Sequence, residues 1–190
     1  MDISHVIEQI KSLPACKFIG IDGLGASGKT TLANEIARAL APSHGGGTII
    51  HTDDFYKPVD QRTIGLVPEI ISPDFDWDRM EREVFIPPPA RNATHSVAGG
   101  QPPFIVKGGA AAGEILIVVG VYALQSRFVS YYDFKIWVDC PRETRIKRMI
   151  EREGPAVAKQ WQTNWLPREE RYLEVDQPDT RADVIYENHH

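Results

Sequence analysis

The chain has 190 residues, 42% of them hydrophobic and 25% charged, enough for one domain across 1–190 with its own core. Its formal net charge of −5 lacks the positive excess that meets nucleic acid or anionic membranes, so neither is an expected partner, whereas a small anionic ligand held by local donors is compatible. Two cysteines, Cys16 and Cys140, are too few for a disulfide framework and lack C-x-x-C spacing; they fit isolated thiols in a cytoplasmic protein.

The opening stretch "MDISHVIEQIKSLPACKF" reads as a short amphipathic helix with Val6, Ile7, Ile10 and Leu13 on one face. Early acidic residues and the lack of a long apolar run argue against a secretory signal or a membrane span. From Lys17, "KFIGIDG" is a β-rich run that enters "GLGASGKTT". This is the pattern G-x-x-x-x-G-K-[ST], with Gly23, Gly28, Lys29 and Thr30 at its fixed positions. The residues that follow place Leu32, Ile36, Ala37 and Leu40 on one helical stripe.

A strand entering such a loop and a helix leaving it let backbone N–H groups converge on phosphate oxygens, with the positive end of the helix behind them. Lys29 is then expected to reach the β- and γ-phosphates, and the Thr30 hydroxyl to face Mg²⁺. ATP and Mg²⁺ are the expected cofactors. The motif by itself is silent on where the phosphate goes.

After the turn "SHGGG", "TIIHTDDFY" is a second buried strand ending in Asp53 and Asp54, with Tyr56 and Lys57 just beyond. A carboxylate there can take the proton of an attacking hydroxyl and stand near Mg²⁺, although Asp is also favoured simply as a turn cap. "DFDWDRMEREVF" reads as a helix through Met80 and Val84; its leading cluster of Asp74, Asp76, Trp77 and Asp78 suits either acceptor binding or a capped helix start. Residues 86–113 hold no long element, part of an irregular acceptor-side segment expected at about 57–113.

"EILIVVGVYAL" has the unbroken apolar character of a central parallel strand covered on both faces. "FKIWVDCP" is a further strand, and "PRETRIKRMIEREG" a helix with Pro141 in its first turn and Gly154 at its end. On that helix Arg145, Arg148 and Arg152 recur on one face, while Ile146, Met149 and Ile150 form an opposite, core-facing stripe. The arginines suit a clamp on a phosphoryl group or a stack on a base, or a solvated face balanced by Glu143, Glu151 and Glu153. "ADVIYE" is the last strand. Strands alternating with helices predict a doubly wound parallel α/β sheet with helices on both faces and a ligand at the carboxyl ends of the strands.

The motifs "GIDGLGASGKTTLA", "HTDDFYKP", "VGVYAL", "YYDFKIWVDCPRETRIKRMIEREG" and "NWLPREERYLEVDQPDTRADVIY", in this order, resemble the uridine kinase-like branch of P-loop kinases. That branch includes uridine/cytidine kinases, nicotinamide riboside kinases, phosphoribulokinases and a bacterial type of pantothenate kinase. The resemblance implies a P-loop NTPase fold in which Gly23, Ala26, Ser27, Gly28, Lys29, Thr30 and Thr31 bind ATP and Mg²⁺. Asp53 would be the general base and share the metal with Thr30. The region from Arg145 to Arg152, with Arg148 and Arg152 binding the nucleotide, would border a lid at about 145–165. By their place after the second strand and in the "DFDWD" cluster, rather than by the resemblance, Asp54, Tyr56, Lys57 and Asp76 are the candidates for binding the acceptor.

The chain departs from the branch at two places. The strand in "LIVVGVYAL" usually ends in a Glu that orders water around Mg²⁺, and Val119 stands there instead; Glu114, at the other end of that strand, cannot replace it. Nor does the segment 91–113 contain the Tyr-Asp pair with which uridine kinases help hold their acceptor. The expected activity is Mg²⁺-dependent transfer of the ATP γ-phosphoryl to a hydroxyl of a small metabolite, a nucleoside such as uridine or cytidine. The competing expectations are a nucleotide-binding protein that has lost most of this activity and an acceptor-independent NTPase. Acceptor identity, the choice between ATP and GTP, and oligomeric state are left open.

Overall fold

A computed structural model describes residues 2–14, 16–44, 47–62, 71–86 and 115–189. Much of the acceptor-side segment expected at about 57–113 lies outside the described residues, and so does Glu114. Five strands, β1 (Phe18–Asp22), β2 (Gly47–His51), β3 (Ile115–Val119), β4 (Phe134–Asp139) and β5 (Val184–Glu187), form one sheet in the order β2-β3-β1-β4-β5. Every pairing is parallel. β1 lies at the centre, with Ile21 beside Val119 on one flank and Ile136 on the other. All carboxyl ends therefore emerge along one edge, where the loop after β1 meets the ends of β2 and β3.

Parallel strands need crossovers, and α1 (Ile3–Ser12), α2 (Lys29–His44), α3 (Trp77–Met80), α4 (Arg142–Glu153), α5 (Pro155–Asn164) and α6 (Leu166–Asp176) are the α-helices among the described residues. Period-2 alternation divides β3 between two cores. Ile115, Ile117 and Val119 face α1 and α2, joining Val6, Ile10, Leu32 and Ile36. Leu116 and Val118 face the other side, with Met80, Phe128 and Tyr172. Fully burying an aliphatic side chain is worth about 1.5–3 kcal/mol, which is why a strand buried on both faces reads as an unbroken apolar run. The doubly wound α/β expectation is met.

Two local expectations are corrected. The helix predicted through Val84 is α-helical only to Met80 and continues as a wider π turn over Glu81–Phe85, closed by the Ile86 N–H donating to the Glu81 carbonyl at 2.9 Å. The wider turn carries the Phe85 ring onto Tyr131, with 4.6 Å between centroids, while Val84 stays buried. On α4 the expected stripe holds for Ile146 and Met149 but not for Ile150, which is 42% exposed, while Arg145 of the expected opposite face is buried. The cause is what α4 packs against. Its inner face meets the loop after β1 and α5 rather than the sheet, and Met149 joins Trp161 and Leu166 in a small cluster of their own.

Candidate active site

The loop at residues 23–28 leaves β1 and turns into α2, whose first turn carries Lys29 and Thr30. Glycine is required at particular places in it. Gly28 has φ +97°, and a Cβ there would meet the Asn188 carboxamide at 2.1 Å. A Cβ on Gly25 would fall 2.8 Å from Glu169 Oε1 and 3.0 Å from the Trp161 ring. The loop is thus closely packed by parts of the chain far away in sequence.

Beneath it, buried Asp22 accepts hydrogen bonds from the Gly23 N–H (2.6 Å), the Leu124 N–H (2.8 Å) and the Tyr172 hydroxyl (2.7 Å). Burial pushes its carboxyl up to about 6, against the pull of these donors and of Lys29. On the outer side, Arg148 donates to the carbonyls of Ala26 (3.3 Å) and Ser27 (3.2 Å). Asn188, just past β5, donates to the Ser27 carbonyl at 2.8 Å and accepts from Arg148 at 3.2 Å. Arg148 and Asn188 thus fix the carbonyls of the loop, while its Gly23 and Gly25 amides donate to Asp22 and Glu169.

Lys29 is 7% exposed, with its ammonium donating to the Leu24 carbonyl at 2.9 Å. Burial lowers its pKa, opposed first by the charge of Glu169 and then by Asp22 and Asp53. Glu169, on α6, is itself buried; it accepts from the Gly25 N–H at 2.6 Å and from Trp161 Nε1 at 3.0 Å. Arg145 Nη1 lies 3.9 Å from this carboxylate and is buried without a hydrogen-bond partner.

The loop opens onto a cavity of about 650 Å³. Ala26, Ser27, Gly28, Lys29, Thr30 and Thr31 line one side, with Arg148 and Arg152. His51, exposed Asp53, Tyr56 and Phe75 line the other, and Val119 and Tyr122 close the floor. The acceptor side is aromatic: the Tyr56 and Phe75 rings are 4.0 Å apart, and Phe75 stacks on Trp77 at 4.5 Å. Burial, with the charges of Asp53 and Asp74, raises the Tyr56 hydroxyl pKa and keeps it a neutral donor.

Most of the residues singled out in the sequence meet here. Gly23 lies behind the loop, on Asp22. Asp54, Lys57 and Asp76 are not in the cavity lining among the described residues. Lys57 Nζ donates to the Pro73 carbonyl at 2.8 Å, the Asp54 carbonyl accepts from Arg79, and Asp76 caps α3 by accepting from the Arg79 N–H at 3.0 Å. Val119 is 1% exposed and sits between Ile21 and His51 in register, so the floor is apolar where the resemblance expects a carboxylate.

For Mg²⁺, Thr30 and Asp53 face the same cavity, one hydroxyl and one carboxylate. That is a fitting set for an ion that keeps several waters and takes the rest of its shell from phosphates. Among the described residues no group of three or more His, Cys, Asp or Glu forms a metal cage. Sequence reading placed Gly25 in the phosphate loop without its contact to Glu169, and missed Asp22, Trp161, Glu169 and Asn188. The signal available was a buried-looking acid beside the motif in "GIDG" and a glycine at a free position of it; Glu169 and Asn188 offered none.

No protein-family model matches the chain. It is 28% identical over 145 residues to a uridine kinase of Leuconostoc citreum, covering 71% of this chain and 67% of that one. Over a shorter stretch of 47 residues it is 47% identical to human nicotinamide riboside kinase 2, covering 25% of this chain and 19% of the relative. Among solved structures, one described as a possible uridine kinase from Bacillus stearothermophilus superposes with a TM-score of 0.67 at 20% identity, covering 97% of this chain and 96% of that one. No helix among the described residues is long and apolar enough to cross a membrane. With the glycine loop between β1 and α2 and the strand order around it, the chain is similar to kinases of the uridine kinase-like branch and has the fold of a P-loop kinase.

Proposed function

We propose that this protein transfers the γ-phosphoryl of ATP to a hydroxyl of a small, ring-bearing metabolite, a nucleoside such as uridine or cytidine. The observation that carries the reading is that Asp53, Lys29 and Thr30 line one cavity together with the packed aromatic residues Tyr56, Phe75 and Tyr122. The loop amides and Lys29 hold the polyphosphate; Thr30 and Asp53 would hold Mg²⁺, which when bound neutralises charge between the β- and γ-phosphates. The acceptor ring packs on the aromatic wall, and its hydroxyl oxygen attacks the γ-phosphorus while its proton passes to Asp53. The bond to the β-phosphate oxygen breaks and ADP leaves. Phosphoryl transfer depends on positioning and charge stabilisation more than on covalent chemistry, so this short set of residues is sufficient.

The test is ADP release with Mg²⁺ and ATP against uridine, cytidine, nicotinamide riboside, pantothenate, ribulose 5-phosphate and no acceptor, with Asp53→Asn in parallel. Release that needs one acceptor and falls about 10²–10⁴-fold in the variant, with ATP still bound, supports the reading. Equal turnover in Asp53→Asn removes it as the base. Release without any acceptor points to an NTPase. Val119 favours a second reading, a nucleotide-binding protein with little turnover; for it, ATP binds and no acceptor releases ADP.

A further inference from the structure

Glu169 is an anion inside a site built for anions. Its two oxygens take the Gly25 N–H, a donor of the glycine loop, and Trp161 Nε1. It lines one cavity with buried Lys29 and lies 3.9 Å from the otherwise unpartnered Arg145 Nη1. A buried cation pair without a counter-charge is costly, so an empty loop carrying Lys29 and Arg145 needs an acid nearby. A polyphosphate brings its own negative charge to the same donors. It then meets a carboxylate already there, and like charges in such contact repel.

We infer that Glu169 is an internal counter-anion of the phosphate loop, one that the incoming nucleotide phosphates must displace and that resets the loop when they leave. The inference rests on the nucleotide-binding part of the function proposed above. The rest of α6 is anchored independently of Glu169: Tyr172 holds Asp22 and Arg168 pairs with Asp74. The exchange is therefore a rotation of the Glu169 side chain, with Trp161 losing its acceptor, while the helix stays in place. Bound phosphate takes over the Gly25 N–H and Lys29. Nucleotide affinity is lowered by the displacement, and release is assisted by the returning carboxylate.

Calorimetric titration of wild type and Glu169→Gln with Mg·ATP, and with inorganic tripolyphosphate, tests this. The glutamine keeps the size of the side chain but removes its charge. The expected result is Mg·ATP binding at least about fivefold tighter in the variant, with tripolyphosphate gaining in the same direction. A wild type that binds Mg·ATP and a variant that binds it no more tightly overturn the inference while leaving the nucleotide reading standing. No binding by either protein sinks both. Should Glu169→Gln fail to fold, wild-type tryptophan emission decides: tripolyphosphate is expected to change it, and the change to vanish in Trp161→Phe. A signal that tripolyphosphate does not move, or one that survives Trp161→Phe, counts against displacement.

Discussion

Asp22 joins three separate parts of the chain on one carboxylate: the loop at Gly23, the turn after β3 at Leu124, and α6 at Tyr172. Its pKa in the fold, about 6 against an ordinary 3.8, means that the fold prefers it protonated; the Tyr172 hydroxyl can then turn and accept. The sign follows. Its contribution to stability is full below pH 3.8 and is lost as the pH rises through about 6, a difference on the order of 3 kcal/mol. Denaturant unfolding of wild type and Asp22→Asn between pH 4 and 7 is expected to show a stability gap that changes with pH in that window. A constant gap would mean that Asp22 does not titrate there. Val119 offers the opposite experiment. Because it lines the cavity at the end of β3, Val119→Glu supplies a carboxylate where the resemblance expects one. The Mg²⁺ concentration needed for half-maximal ADP release is expected to fall about 10- to 100-fold, read from a magnesium titration of both proteins.

At the scale of elements, the phosphate loop, its flanking strand and helix, and the interior strand β3 were legible because each is written in adjacent residues. Apolar runs and glycine spacing are local signals. The face of α4 was not legible, because which side of an amphipathic helix is inside depends on its neighbour, and here that neighbour is a loop and another helix rather than the sheet. Gly154 separates α4 from α5 with φ +84° and ψ 164°, a conformation nearly confined to glycine. A Cβ there meets nothing within 4 Å, so Gly154→Ala isolates the backbone cost. The expected loss is about 1–3 kcal/mol, or roughly 2–10 °C in melting temperature for a chain of this size. An unchanged melting temperature would show that the joint relaxes into another conformation.

For the whole molecule, ligand linkage gives a direct check. Mg·ATP at about 100 times its dissociation constant is expected to add ~2.7 kcal/mol, raising the melting temperature by roughly 5–10 °C. No shift at saturation would count against the loop as a nucleotide site. What the sequence could not reveal at this scale is what surrounds the loop. Gly25 is held by a residue 144 positions later and Ser27 by one 161 positions later, distances over which no periodicity carries information.

Those same separations bear on how the site comes into being. During synthesis the glycine motif precedes Glu169 and Asn188, which pack against it, and Tyr172, which supports it through Asp22, by well over a hundred residues. β1 likewise finds its neighbours β3 and β4 only after about a hundred more residues are made. Contacts between distant residues pay loop-closure entropy before they return any stability, and they make folding slow. The nascent protein thus carries a phosphate motif that stays unfinished until those residues are made, so that nucleotide capture reports the arrival of α6 and β5.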